Sequence, residues 1–117
     1  MAVLEEPIKG VKEVKNYING EWVDSKGQIV DVVNPATGKV IGKCPISTKE
    51  EIDAAVNAAK AAFPEWRRTT PLARSRILFR LKDLLEDAFE EVSRIQTMEH
   101  GKTIDESRGE SRRGIDV

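Results

Sequence analysis

The sequence predicts an α+β chain: a small set of antiparallel strands in the first 45 residues, then about four helices. Three observations predict it. Asn19-Gly20 and Asn34-Pro35-Ala36-Thr37-Gly38 each separate two short apolar runs. The apolar spacing changes from two to about 3.6 near Ser47. Helix-starting and helix-stopping residues then recur to the end of the chain.

Residues 1–13 have little periodicity, with Pro7 and Gly10 interrupting any helix, and read as a leading arm. Residues 14–117 then form one unit, with strands over 14–45 and helices over 47–117. Tyr17-Ile18 and Glu21-Trp22-Val23 flank Asn19-Gly20, a pair that tolerates the two positive φ angles of a type I′ hairpin turn. Lys26-Gly27 makes a second turn. Strands over 28–33 and 39–44 are joined by the Asn34 to Gly38 reversal. There proline fixes its φ, the Asn34 side chain accepts local hydrogen bonds and Gly38 supplies a positive φ.

Either Ser47 with Glu50 or Thr48 with Glu51 fits a capping box at the start of the first helix. Ile52, Ala55, Val56, Ala59 and Phe63 fall on one face of that helix, and Pro64 is expected to stop it. Thr70 with Pro71 opens a second helix, whose apolar face is Ile77, Leu78, Leu81, Leu84, Leu85 and Ala88. Asp87 with Glu90 would cap a third, through Phe89, Val92, Ile95 and Met98, closed by Gly101 in a left-handed conformation. Thr103 with Glu106 starts a fourth, in which Ile104 and Ile115 are the only large apolar residues and Gly109 and Gly114 weaken the helix.

At 117 residues the chain falls within the usual domain range, and one domain is the default. Nineteen basic against 20 acidic residues leave a net charge of −1, with no basic block that points to nucleic acid or a membrane surface. A single cysteine rules out an intrachain disulfide and fits a reducing compartment. No apolar run approaches the roughly 18 residues of a membrane span, and Ala2 to Leu4 is too short for a signal peptide. The expectation is a cytoplasmic protein.

Few side chains offer chemistry on their own. Cys44 has no histidine or other base near it in sequence and reads as a small buried hydrophobe before Pro45. His100, the only histidine, reads as the positive end group of a helix C-terminus. Gly101-Lys102-Thr103 has the ending of a phosphate-binding loop, but that motif requires glycine at position 96, where Gln96 stands. Trp22 and Trp66 read as core or interface anchors. No residues have metal-ligand spacing.

The motifs taken in order resemble the N-terminal part of the aldehyde dehydrogenase superfamily from about Tyr17 to Val117. They are the hairpin, the Asn34 to Gly38 reversal, an alanine-rich helix ending Phe63-Pro64-Glu65-Trp66, and the Glu99-His100-Gly101-Lys102-Thr103 run. Four segments are most similar to the methylmalonate-semialdehyde dehydrogenase branch: Asn16 to Val23, Asp31 to Thr37, Pro45 to Glu50, and Arg113-Gly114-Ile115.

The resemblance implies the outer strands and helices of an incomplete Rossmann-like coenzyme domain of the α/β aldehyde dehydrogenase fold. It implies an NAD-dependent oxidation of (methyl)malonate semialdehyde, with decarboxylation, to an acyl-CoA. NAD would be bound mainly by residues beyond this chain, coenzyme A would be the co-substrate, and the full-length enzyme would be a homo-oligomer, a dimer or tetramer. It implies no catalytic residue within 1–117; the nucleophilic cysteine, oxyanion-holding amides and dinucleotide site lie elsewhere, and the piece alone is inactive.

One substrate contact is implied. Arg113 matches the arginine of a Gly-Arg-Gly-Ile motif that holds the substrate carboxylate, with Arg112 standing where the motif has glycine. A guanidinium presents a planar fork that matches a carboxylate. The plainer reading of Arg113 is a solvated helix residue paired with Glu110 or Asp116. Glu99 matches a position that helps bind a monovalent cation together with a carbonyl near Val33, against the plainer reading of a solvated helix carboxylate. Two other functions remain open: an NAD(P)-dependent dehydrogenase of a simple aldehyde, and a stand-alone helical binding or scaffold domain.

Overall fold

The computed structural model describes residues 6–117. Five strands, Lys12–Glu13 (β1), Asn16–Ile18 (β2), Glu21–Val23 (β3), Ile29–Val33 (β4) and Val40–Pro45 (β5), precede four helices. The helices are Lys49–Trp66 (α1), Pro71–Asp87 (α2), Phe89–His100 (α3) and Ile104–Asp116 (α4).

The expected antiparallel pairs both form. In the β2–β3 hairpin Tyr17 lies opposite Trp22, their rings 4.8 Å apart, across a turn in which Asn19 and Gly20 have φ of 53° and 83°. Strands β4 and β5 pair with Val30 opposite Cys44. In the reversal between them Asn34 is buried, its Oδ1 accepts the Ala36 amide, and its carbonyl accepts the amides of Thr37 and Gly38. Two features lie outside the period-two pattern. The strands form two separate sheets, and Lys12–Glu13, inside the segment read as a leading arm, pairs parallel with the free edge of β5 to give the order β1-β5-β4. The hairpin is drawn away from β4–β5 by α1: Asn16 Nδ2 donates to Ser47 Oγ at 2.9 Å, and Tyr17 and Ile18 lie beside Ala55.

Thr48 and Glu51 form the capping box of α1, which leaves Ser47 to bond Asn16. The Glu51 carboxylate also accepts the Lys26 amide at 2.7 Å and the Ser25 hydroxyl at 2.6 Å, so one side chain joins the β3–β4 connection to the start of the helical layer. The backbone bond from Lys26, then the Ser25 and Thr48 bonds, hold its carboxyl below the usual 4.5.

Two expected boundaries are corrected. Pro64 does not stop α1, which runs on to Trp66. Proline lacks an amide donor and its ring crowds the carbonyl of residue 60, but its φ suits a helix and the turn after it still closes, with the Arg67 amide reaching Phe63 O at 2.8 Å. Asp87 and Glu90 do not cap α3. Asp87 is the last residue of α2, and Ala88 alone, without a side-chain cap bond, both ends α2 and begins α3. A residue held in helical φ/ψ cannot take up the extended conformation that a capping carboxylate needs. The Thr70–Pro71 start of α2 and the Thr103–Glu106 capping box of α4 form as expected.

Gly101 closes α3 at φ 84°, and a Cβ added there would come 2.7 Å from Pro35 Cγ. Helix α3 thus ends against the β4–β5 reversal. Helices α3 and α4 approach through small hydroxyl residues: Ser93 and Ser107 are fully buried, Ser93 Oγ donates to Phe89 O and lies 3.1 Å from Ser111 Oγ, and Thr97 Oγ1 lies 2.8 Å from Ser107 Oγ.

Among the described residues the only buried large apolar side chains are Ile41 and Met98. The apolar faces of α1 and α2 lie open: Ile52, Phe63, Ile77, Leu78, Leu81 and Leu84 are all exposed. Trp22, 71% exposed, and Trp66, 43% exposed, are not core residues here. The shape agrees, since extents of 53 × 36 × 18 Å and a radius of gyration of 17.5 Å exceed the roughly 13 Å of a compact chain this long. No helix among the described residues is long and apolar enough to cross a membrane.

Two outcomes are expected. The 117-residue chain by itself should bind a hydrophobic dye and self-associate; a monodisperse monomer silent to the dye would contradict the open faces. Gly101→Ala should cost more than about 1 kcal/mol in chemical denaturation. Gly101→Asn should recover only part of this, because asparagine tolerates the φ but its Cβ still meets Pro35.

Candidate functional site

The two arginines near the end of α4 have different surroundings. Arg112 is committed to α2: Nη1 donates to Glu86 Oε1 at 2.7 Å, Nη2 to Glu86 Oε2 at 3.1 Å, and the guanidinium lies 4.7 Å from the centre of the Phe89 ring. The Arg112 hydrogen bond, aided by its charge, holds the Glu86 carboxyl below its usual value against the opposing effect of desolvation. One turn earlier Arg108 grips Glu90 of α3 through Nε and Nη2 and reaches Asp105 at 3.2 Å. Its hydrogen bond likewise lowers the Glu90 carboxyl.

Arg113 has neither kind of partner. Its side chain is exposed, and among the described residues no carboxylate comes within ion-pair distance of it, Glu110 and Asp116 included. It borders an open groove of about 650 Å³ shared with His100, Lys102, Gly109 and three carboxylates, of which Asp105 is tied to Arg108, Glu106 to the Thr103 cap and Glu110 to Lys102 and Gln96. Glu110, one turn before Arg113, is engaged by others: Lys102 Nζ and Gln96 Nε2 both donate to its Oε2 at 2.5 Å. The Lys102 bond, more than any other contact, holds the Glu110 carboxyl below its usual range, and the Arg113 charge adds to the effect from a distance. The resulting groove presents one uncommitted guanidinium that can take a small anion.

The remaining candidates have plain surroundings. Cys44 is half-buried at the end of β5, with Sγ 3.8 Å from Pro45 O. His100 is the last residue of α3, as expected, and exposed. Glu99 is exposed beside it on a groove with Val92 and Ile95, and no cluster of three metal-ligating side chains occurs among the described residues. Within Gly101-Lys102-Thr103, glycine stops a helix, lysine is ion-paired and threonine caps. No strand, glycine loop and helix crossover that would cradle a dinucleotide occurs among the described residues.

Two groups escaped sequence reasoning. The Gln96–Glu110–Lys102 cluster depends on the turn at Gly101 folding α4 back along α3, and no spacing within a single helix announces it. Arg74 of α2 donates to the carbonyls of Trp66, Arg67 and Thr69 and lies 5.3 Å from the Trp66 ring centre, so it closes the end of α1 from the next helix.

Comparison with known proteins adds three findings. The sequence profile of the Aldehyde dehydrogenase family matches residues 22–117. Malonate-semialdehyde dehydrogenase 2 of Geobacillus kaustophilus strain HTA426 is 50% identical over 108 residues, which cover 92% of this chain and 22% of that protein. In three dimensions the chain matches a putative methylmalonate-semialdehyde dehydrogenase of Sinorhizobium meliloti complexed with NAD. That match has a TM-score of 0.85 and 36% identity over 91% of this chain and 22% of the other. Lactaldehyde dehydrogenase of Escherichia coli matches with a TM-score of 0.86 and 30% identity over 92% of this chain and 23% of the other. The chain spans less than a quarter of the length of these relatives.

The carboxylates that tie α4 to its neighbours set an expected pH response. Glu86, Glu90 and Glu110 are all held below the usual 4.5, so their ties are fully present above about that pH. They are lost as pH falls through the lower folded values. Hydrogen exchange corrected for intrinsic rates should show α4 loosening on acidification below about pH 4.5, and no loosening from roughly pH 5 to 8.

Proposed function

Because the chain belongs to the aldehyde dehydrogenase family, we propose that it is the N-terminal part of an enzyme that oxidises malonate or methylmalonate semialdehyde, and that Arg113 binds the carboxylate of this substrate. The observation that carries the reading is the contrast between Arg112, bound to Glu86 and Phe89, and Arg113, left unpaired at an open groove. A malonate-type semialdehyde has a carboxylate at one end and the reacting carbonyl at the other. A guanidinium that donates two parallel bonds to the carboxylate fixes the orientation of so short a molecule. The fold alone does not select the substrate, since the E. coli lactaldehyde dehydrogenase has nearly the same geometry over this region.

The rest of the reading follows the relatives. NAD is the hydride acceptor, in keeping with the NAD complex of the Sinorhizobium meliloti neighbour, and the resemblance in sequence adds coenzyme A as acyl acceptor, with NAD bound mainly by other parts of the enzyme. In this reading the nucleophile also lies there, Cys44 serves packing before Pro45, and the 117-residue piece alone is inactive. The open apolar faces of α1 and α2 support a chain that is covered by further polypeptide, its own or that of a second copy. The same openness argues against a stand-alone scaffold domain.

In the full-length enzyme, Arg113→Ala should raise KM for malonate semialdehyde by about tenfold or more, the effect of losing a charge-assisted pair. Catalysis on propanal, the same skeleton without the charge, should move far less. Arg113→Lys should recover only part of the loss, because a point charge lacks the fork. Equal losses on both aldehydes would sink the carboxylate role and leave a simple-aldehyde dehydrogenase. Product analysis with and without coenzyme A tests the acyl acceptor.

A further inference from the structure

The groove holds a carboxylate that could silence Arg113 from within the protein. Glu110 lies three residues before Arg113, the spacing at which helix side chains of opposite charge pair. It does not pair. Its Oε2 is taken by Lys102 Nζ from the α3–α4 turn and by Gln96 Nε2 from α3, each at 2.5 Å. Arg113 does not come within ion-pair distance of Glu110, although its charge still acts on that carboxylate. The Lys102 side chain is only 13% exposed, so this ammonium is fixed in place and is not a mobile surface charge.

We propose that Lys102 and Gln96 are positioning residues that hold Glu110 away from Arg113 and so keep the Arg113 guanidinium available to a substrate carboxylate. The inference rests on the assignment of Arg113 to substrate binding. Lys102 acts through Glu110 and need not touch substrate. Without it, Glu110 is free to turn along α4 and pair with Arg113, and the substrate must then displace an internal competitor.

The test uses the full-length enzyme and the ratio of kcat/KM for malonate semialdehyde to that for propanal. Lys102→Met, which keeps the buried stem and removes the charge, should lower this ratio about threefold to fivefold, with the loss in KM and not in kcat. Lys102→Met combined with Glu110→Gln should restore it, because a neutral amide no longer competes for Arg113. If Lys102 touched the substrate directly, the double variant would stay impaired, and the proposal would be overturned. An unchanged ratio in Lys102→Met would overturn it too. Should Lys102→Met fail to fold, Glu110→Gln alone decides: the proposal expects a ratio equal to or above that of the parent, and a fall would reject it. Arg113→Ala separates the two levels. If it has no selective effect, the assignment of Arg113 fails; if it is selective while Lys102→Met is not, only the positioning role fails.

Discussion

Within residues 6–117 Ile41 and Met98 are the only large apolar side chains almost wholly withdrawn from water, while Val32, Val40, Leu85 and Ile95 are half-buried, so burial supplies only part of what holds these elements in place. Directional polar contacts add the rest. Glu51 joins the β3–β4 connection to α1, Asn16 and Ser47 join the hairpin to the same helix start, and Arg74 closes the end of α1 from α2. Helices α3 and α4 meet over serines and threonines, whose small side chains permit close approach and whose hydroxyls bond each other. Such contacts fix angles well but contribute little net free energy each, because every one replaces a bond to water. The arrangement gives a well-defined framework with large apolar faces left uncovered.

That framework explains how α4 can be polar on most of its surface and still be held. Its cations at positions 108 and 112 use forked, two-bond contacts to Glu90 and Glu86, the geometry in which an exposed ion pair retains value. With those arginines engaged, and Glu110 engaged by Lys102 and Gln96, one cation of the last turn has no internal partner. A site for a small anion needs this kind of asymmetry: a charge whose neighbouring counter-charges are already satisfied.

Over this segment the backbone is nearly the same as in enzymes named for different aldehydes, with TM-scores of 0.85 and 0.86. The groove beside Arg113 lies where α3 turns into α4. The turn is itself anchored, since Gly101 packs its bare Cα against Pro35 and so ties the groove to the β4–β5 reversal.

The sequence by itself determined the features whose partners lie within a few residues. These are the Asn19-Gly20 hairpin, the Asn34 to Gly38 reversal, the capping residues Thr48, Thr70 and Thr103, the stop at Gly101 and the order of strands before helices. It also pointed to Arg113, through resemblance. The short β1 strand, the passage of α1 through Pro64, the uncapped start of α3 and the separate fates of Arg112 and Arg113 were decided only in the tertiary structure. Each depends on a group far away in the chain or on the conformation its neighbours impose: the edge of β5 for residues 12–13, Glu86 for Arg112, Lys102 and Gln96 for Glu110. Two adjacent arginines are chemically identical until the chain folds a carboxylate against one of them and brings none within ion-pair distance of the other.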